Sequence, residues 1–236
     1  MNVVHYPGVP MTRKMFRSAS VAVGGLTLAL ALTACGDSNE VDSVEAQDGA
    51  ALQELLLTDG ESGLTGATGV NDTVLEGETI PLVVVAEAEK FEGACGEALQ
   101  AAEAAELGTV GSAARTFQRE DGTGVAVAQF STDTTDVSPA QLYTDIAEAC
   151  EEPLKDDETG AEYTFTPLES DVSGFIFDIT VTPGNESSSV MMLKDLGHHH
   201  ILVAGVDADE ADVKAVFDAQ VAKTEQGLRE VAEQGS

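Results

Sequence analysis

The chain has 236 residues, 43% of them hydrophobic, with 42 acids against 11 Lys and Arg and a formal net charge of −31. That charge argues against nucleic acid as a partner, since phosphate binding needs a basic surface that releases counterions, and against docking on anionic lipid headgroups. The hydrophobic content is too high for wholesale disorder, and the length suits one domain with a buried core.

The first 35 residues hold Arg13, Lys14 and Arg17 and no acid. This basic stretch precedes an uncharged run from Ser18 to Ala34. The apolar centre of the run, Val21–Leu32, would span about 18 Å as a helix, short of a bilayer core of about 30 Å. It therefore predicts a secretory signal over residues 1–34 rather than a permanent span. Met1–Pro10 adds nothing to that signal, and Met11 and Met15 are alternative starts. The run ends in Leu32-Thr33-Ala34-Cys35, which resembles the lipobox of exported bacterial lipoproteins. The resemblance implies cleavage between Ala34 and Cys35 and diacylglyceryl transfer to the Cys35 thiol. Two acyl chains give stable anchoring where one is marginal. Residues 35–49 then read as a lipidated acidic tether, with five acids and no base after Cys35, and residues 50–236 as a single domain.

Within that domain Ala50–Leu57 is apolar, and its run Leu55–Leu57 does not separate helix from strand. Glu61–Gly69 reads as a Gly- and Thr-rich loop, and Pro81–Val85 as an edge strand. Phe91–Leu107, rich in Ala and Glu, predicts a helix. Val110–Arg119 and Gly124–Ser131 flank Asp121-Gly122, a hairpin signal. Ser138-Pro139 opens a second helix, with a capping hydroxyl and Pro in the first turn, and Pro153 ends it. Four strands follow: Glu162–Leu168, Gly174–Thr182, Ser188–Leu193 and His198–Val206. Phe175, Phe177, Ile179 and Val181 alternate with polar residues and share one face. Ala208–Gln234 is an amphipathic helix whose stripe runs through Val213, Phe217, Val221, Thr224, Leu228 and Val231. Mostly hairpin connections predict an α+β fold: an antiparallel sheet of about five to seven strands, with helices packed mainly on one face.

Cys95 and Cys150 remain after Cys35. An even pair in an exported protein reads as a disulfide, here between two helices. Closing so long a loop, 55 positions, contributes roughly 4 kcal/mol on the chain-entropy account. Of His198, His199 and His200, the first and third share a face if the segment is extended, so that they could chelate Zn²⁺ or Cu²⁺ with Asp195 completing the set. The competing reading is three imidazoles at the mouth of a hairpin with no cofactor. No nucleophile elbow, phosphate loop or dinucleotide fingerprint occurs. Asp207-Ala-Asp209-Glu-Ala-Asp212 lacks the Gly and the closing Glu of a calcium loop and suits a helix start.

The lipobox, the opening Leu55–Thr58, the two Cys-bearing helices, the hairpin-rich sheet and the closing amphipathic helix together resemble the extracellular sensor domains of PknH-like receptor kinases of actinobacteria. The resemblance, over about Ala50–Leu228, implies a disulfide-stapled α+β fold with a ligand cleft. Members typically carry two disulfides, and this chain has cysteines for one. The reading that follows is a non-catalytic, ligand-binding or sensor-like lipoprotein domain. It is held at the cell membrane through its lipid anchor, faces the extracytoplasmic side, and binds a small molecule or envelope component on the open sheet face near Asp178, Thr180 and the histidines. The alternatives are a cell-envelope lipid or glycolipid carrier, expected to show a large apolar cavity, and an exported hydrolase, expected to show a polar constellation in a cleft.

Overall fold

The computed structural model of the chain describes residues 41–82, 84–85, 87–170, 172–182 and 184–235. In chain order these form α1 (Gly49–Leu55), β1 (Thr68–Glu76), β2 (Thr79–Pro81), a 3-10 turn (Ala88–Lys90), α2 (Gly93–Ala104), β3 (Glu106–Gln118) and β4 (Gly124–Thr132). Then come α3 (Pro139–Ala149), β5 (Leu154–Lys155), β6 (Glu162–Pro167), β7 (Ser173–Thr182), β8 (Asn185–Leu196), β9 (His199–Val206) and α4 (Glu210–Gly235). The fold is α+β, around an antiparallel sheet in the order β1-β3-β4-β9-β8-β7-β6-β5, with β2 also pairing with β3. The sheet has nine strands rather than five to seven. The strand that escapes a sequence reading is β1. Its run Thr-Gly-Val-Asn-Asp-Thr lies at the sheet edge with Thr68, Asn71, Asp72 and Thr73 exposed, and it breaks register between Val70 and Thr73, where Asn71 has φ 57°. An edge strand with a bulge carries no alternation to read. Conversely, only Thr79–Pro81 of the expected Pro81 strand is extended; Leu82 and Val85 turn inward as core residues.

Helices cover both faces of the sheet, not mainly one. On the first face, Val125, Val127, Val190, Met192, Ile201 and Val203 pack against Val213, Val216, Phe217 and Leu228 of α4 and Leu52 of α1. On the second, Phe165, Phe175, Phe177 and Leu193 pack against Leu99 of α2 and Tyr143 and Ile146 of α3. The cause is visible in β7–β9, where bulky apolar side chains occur at consecutive positions, as in Met191-Met192-Leu193 and Ile201-Leu202-Val203. Such a strand needs cover on both sides. The α4 stripe packs on the sheet, as its periodicity predicts; Val231, at the end of the stripe, is 39% exposed. The C-terminal carbonyls of α1 are met by side chains: Gln220 Nε2 donates to Leu55 O, Lys223 Nζ to Leu56 O and Arg115 to Leu57 O, each at 2.8 Å. These bonds fix a seven-residue helix that could not stand alone.

The acidic tether is shorter than its composition predicts. Val41 and Val44 are buried in the first core, Ser131 Oγ donates to Gln47 O, and Asp48 accepts from Ala51 N to cap α1. Two valines among acids suffice to seat residues 41–48 across the end of the sheet. A side chain at Gly197 (φ 61°) would collide with the Asp42 backbone, so this crossing requires glycine there. Among the described residues no helix is long and apolar enough to cross a membrane.

Candidate functional site

The register places small side chains side by side on the second face. Ala114 of β3 lies opposite Ala128 of β4, and Ala128 opposite Leu202 of β9. One step along, Thr116, Ala126 and Ala204 are aligned in the same way. On β4 the pattern Val125-Ala126-Val127-Ala128 sends its valines to the α4 side and its alanines to this one. The helices α2 and α3 pack mainly beside β6, β7 and β8 and against Phe130 and Leu107, and Tyr143 of α3 reaches only the border of this half of the sheet. The outcome is a trough of about 350 Å³, floored by Ala114 and Ala128 and walled by Leu75, Leu82, Phe130, Tyr143, Met191 and Leu202. That volume lies within the range of small-molecule sites. No Lys, Arg, Asp or Glu lines it. Beyond Ala126 and Ala204 the same face continues into a concavity of about 430 Å³ carrying Asp121 and Asp207.

The end of the trough is held by a buried polar chain. Phe130 stacks on His200, with centroids 4.9 Å apart. His200 is 1% exposed, and its Nδ1 donates to Asp195 Oδ1 at 2.8 Å. Asp195 Oδ2 accepts from Ser138 Oγ (2.6 Å) and Ala140 N (3.2 Å) at the start of α3, the helix that carries Tyr143. His200 Nε2 lies 3.1 Å from Thr132 Oγ1, which donates to Thr134 O at 2.6 Å. Thr132–His200–Asp195 has the order of a nucleophile, base and acid. Yet the hydroxyl is buried and its proton is committed to a carbonyl. The chain therefore acts as a clamp that ties β4, β8, β9 and α3 together.

The same bonds bear on the expected metal pair. Both ring nitrogens of His200 are engaged within the protein, Nδ1 by Asp195 and Nε2 by Thr132 Oγ1, so neither faces an open site for an ion. His198 falls in the turn before β9, and its Nδ1 contacts Thr132 O at 2.7 Å. Among the described residues no three His, Cys, Asp or Glu side chains are grouped to hold a metal. His199 points to the opposite face from His200, is 1% exposed, and among the described residues has no well-formed hydrogen bond at either ring nitrogen, the Leu196 backbone being a polar neighbour. Burial lowers its pKa to about 4, with the neighbouring His200 adding to the shift, so the ring is neutral at pH 7.

Cys95 on α2 and Cys150 at the end of α3 form the disulfide, and the bond packs the two helices as a pair over β6–β8. Ala34 and Cys35 lie outside the described residues. Asp178 and Thr180 are not near the histidines. They pair with Ser188 and Glu186 at the start of β8, whereas Asp195 and His200 pair at its other end. Tyr143, Ala114, Ala128 and Leu202 were not singled out by sequence reasoning. The signal that could have found them is the bulky–small alternation of β4.

No protein-family model matches the chain, and no curated protein sequence matches it at a significant level. Among solved structures, the extracellular domain of PknH from Mycobacterium tuberculosis is similar in fold. It has 8% sequence identity and a TM-score of 0.47 over 78% of this chain and 100% of that one.

Proposed function

We propose that the chain is an extracytoplasmic lipoprotein, anchored through Cys35, whose domain binds a small apolar ligand without chemistry on it. The observation that carries the binding reading is the trough: a concavity of about 350 Å³ with an alanine floor, apolar walls and no charged lining. Helices cover most of the apolar surface of the sheet and leave this stretch open. The anchoring half rests on the basic stretch, the short apolar run and Leu32-Thr33-Ala34-Cys35. A lipid carrier with a large cavity is less well supported, because the volume is at the lower end for ligand sites. The hydrolase reading is weakened by the burial of Thr132 and His200.

Two experiments test the two halves separately. Radiolabelled palmitate is expected to incorporate into the wild type and not into Cys35→Ala; no incorporation in the wild type overturns anchoring. Solvent extracts of natively purified protein, compared by mass spectrometry with those of Ala128→Phe, are expected to contain a small apolar compound that the filled variant lacks. Identical extracts from two equally stable proteins overturn binding in the trough.

A further inference from the structure

Three hydroxyl-bearing residues line the trough, Thr73, Ser112 and Tyr143, and Tyr143 is the most deeply buried of them. Tyr143 lines the trough, is 2% exposed, and stacks its ring on Phe175 with centroids 5.1 Å apart. Its hydroxyl makes no hydrogen bond to any described residue. A buried tyrosine ordinarily finds a partner for its O–H. Burial pushes this phenol up to about 12, so at neutral pH it keeps its proton and can donate.

The surroundings restrict what can accept that proton. No cation lines the trough, and the adjoining concavity carries Asp121 and Asp207. A carboxylate or phosphate would be desolvated there with no counter-charge, inside a protein of net charge −31. A hydrocarbon would leave the hydroxyl unpaired. We propose that Tyr143 Oη is the polar anchor of the trough, and that the ligand is an uncharged apolar molecule with one carbonyl oxygen, an ester or a ketone, set against it. This rests on the trough being the binding site.

The test uses the full chain and three probes: methyl decanoate labelled with ¹³C at its carbonyl, decane and decanoate. The ester is expected to bind saturably at pH 7.5, more tightly than the anion. Tyr143→Phe is expected to weaken ester binding about fivefold to tenfold, the share of one neutral hydrogen bond, and to leave decane binding unchanged. The carbonyl resonance should shift on binding to the wild type and not on binding to the variant. The thermal midpoint of Tyr143→Phe should not fall, because the hydroxyl has no partner among the described residues to lose. Equal ester affinity in wild type and Tyr143→Phe, or tighter binding of decanoate, overturns the anchor while leaving the trough standing. If neither ester nor decane binds, or if Ala128→Phe binds both as well as the wild type, the trough reading itself fails.

Discussion

Asp195 and His200 face each other across the β8–β9 ladder, and their 2.8 Å bond is the midpoint of a polar chain running from the cap of α3 to the end of β4. One carboxylate thereby positions two things at once. Through His200 it backs Phe130 at the end of the trough, and through Ser138 and Ala140 N it fixes the helix carrying Tyr143.

Removing that carboxylate leaves a buried imidazole and a helix start without acceptors. Asp195→Ala is expected to lose roughly 2–4 kcal/mol, the range for breaking a charged, largely buried hydrogen-bonded pair. Urea unfolding at pH 7 measures it. A loss under about 0.5 kcal/mol, typical of a surface substitution, would show that the chain of bonds does not hold these elements.

His199 makes stability depend on pH. Its pKa is about 4 in the folded protein and about 6.5 unfolded, so between those values the unfolded chain takes up the proton. Stability is full above pH 6.5, falls as pH drops towards 4, and gains no further loss from this group below that. The contribution is on the order of 3 kcal/mol. Urea midpoints at several pH values should fall more steeply for wild type than for His199→Leu over this window. Parallel curves would assign the acid sensitivity elsewhere.

The Cys95–Cys150 bond closes a long loop between the two helices of the second face. Replacing both cysteines by serine is expected to cost about 2–4 kcal/mol. Thermal unfolding of the variant should then match that of the reduced wild type, and a reductant should leave the variant's own midpoint unchanged. A wild-type midpoint insensitive to reduction would contradict a stabilising staple.

Gln220 serves α1 from α4. Its Oε1 accepts from Leu57 N at 3.1 Å, and its Nε2 donates to Leu55 O and Thr224 Oγ1. Gln220→Ala would strand a buried donor and acceptor and is expected to lose about 2–4 kcal/mol. Hydrogen exchange should quicken first at residues 49–57; uniform exchange throughout would mean that α1 is held by packing alone.

The α3 cap, the β3–β4 hairpin, the phenylalanine face of β7 and the α4 stripe were all legible in sequence, because each is a local matter of turn chemistry or periodicity. The β1 edge was not, since a bulged polar strand borrows its regularity from its partner. The trough was only half legible. The alternation Val125-Ala126-Val127-Ala128 announces one small face, but nothing local says that Ala114 and Leu202 lie beside it or that the helices stop short of it. Likewise His198 and His200 look equivalent in sequence; the turn at Gly197-His198 and the bonds to Thr132 and Asp195 separate their roles.

By itself the sequence determined the class of fold, the strand faces, the capped helices, the cysteine pair and the acidic charge that turns away polyanions, since these depend on composition and on neighbours within a few positions. Tertiary structure alone decided that helices cover both faces, that residues 41–48 belong to the folded body, and that an apolar trough bordered by the buried Tyr143 remains open. Those outcomes depend on strand order and register, which bring together residues as distant as Leu75, Tyr143 and Leu202, and no short-range pattern encodes which of them will meet.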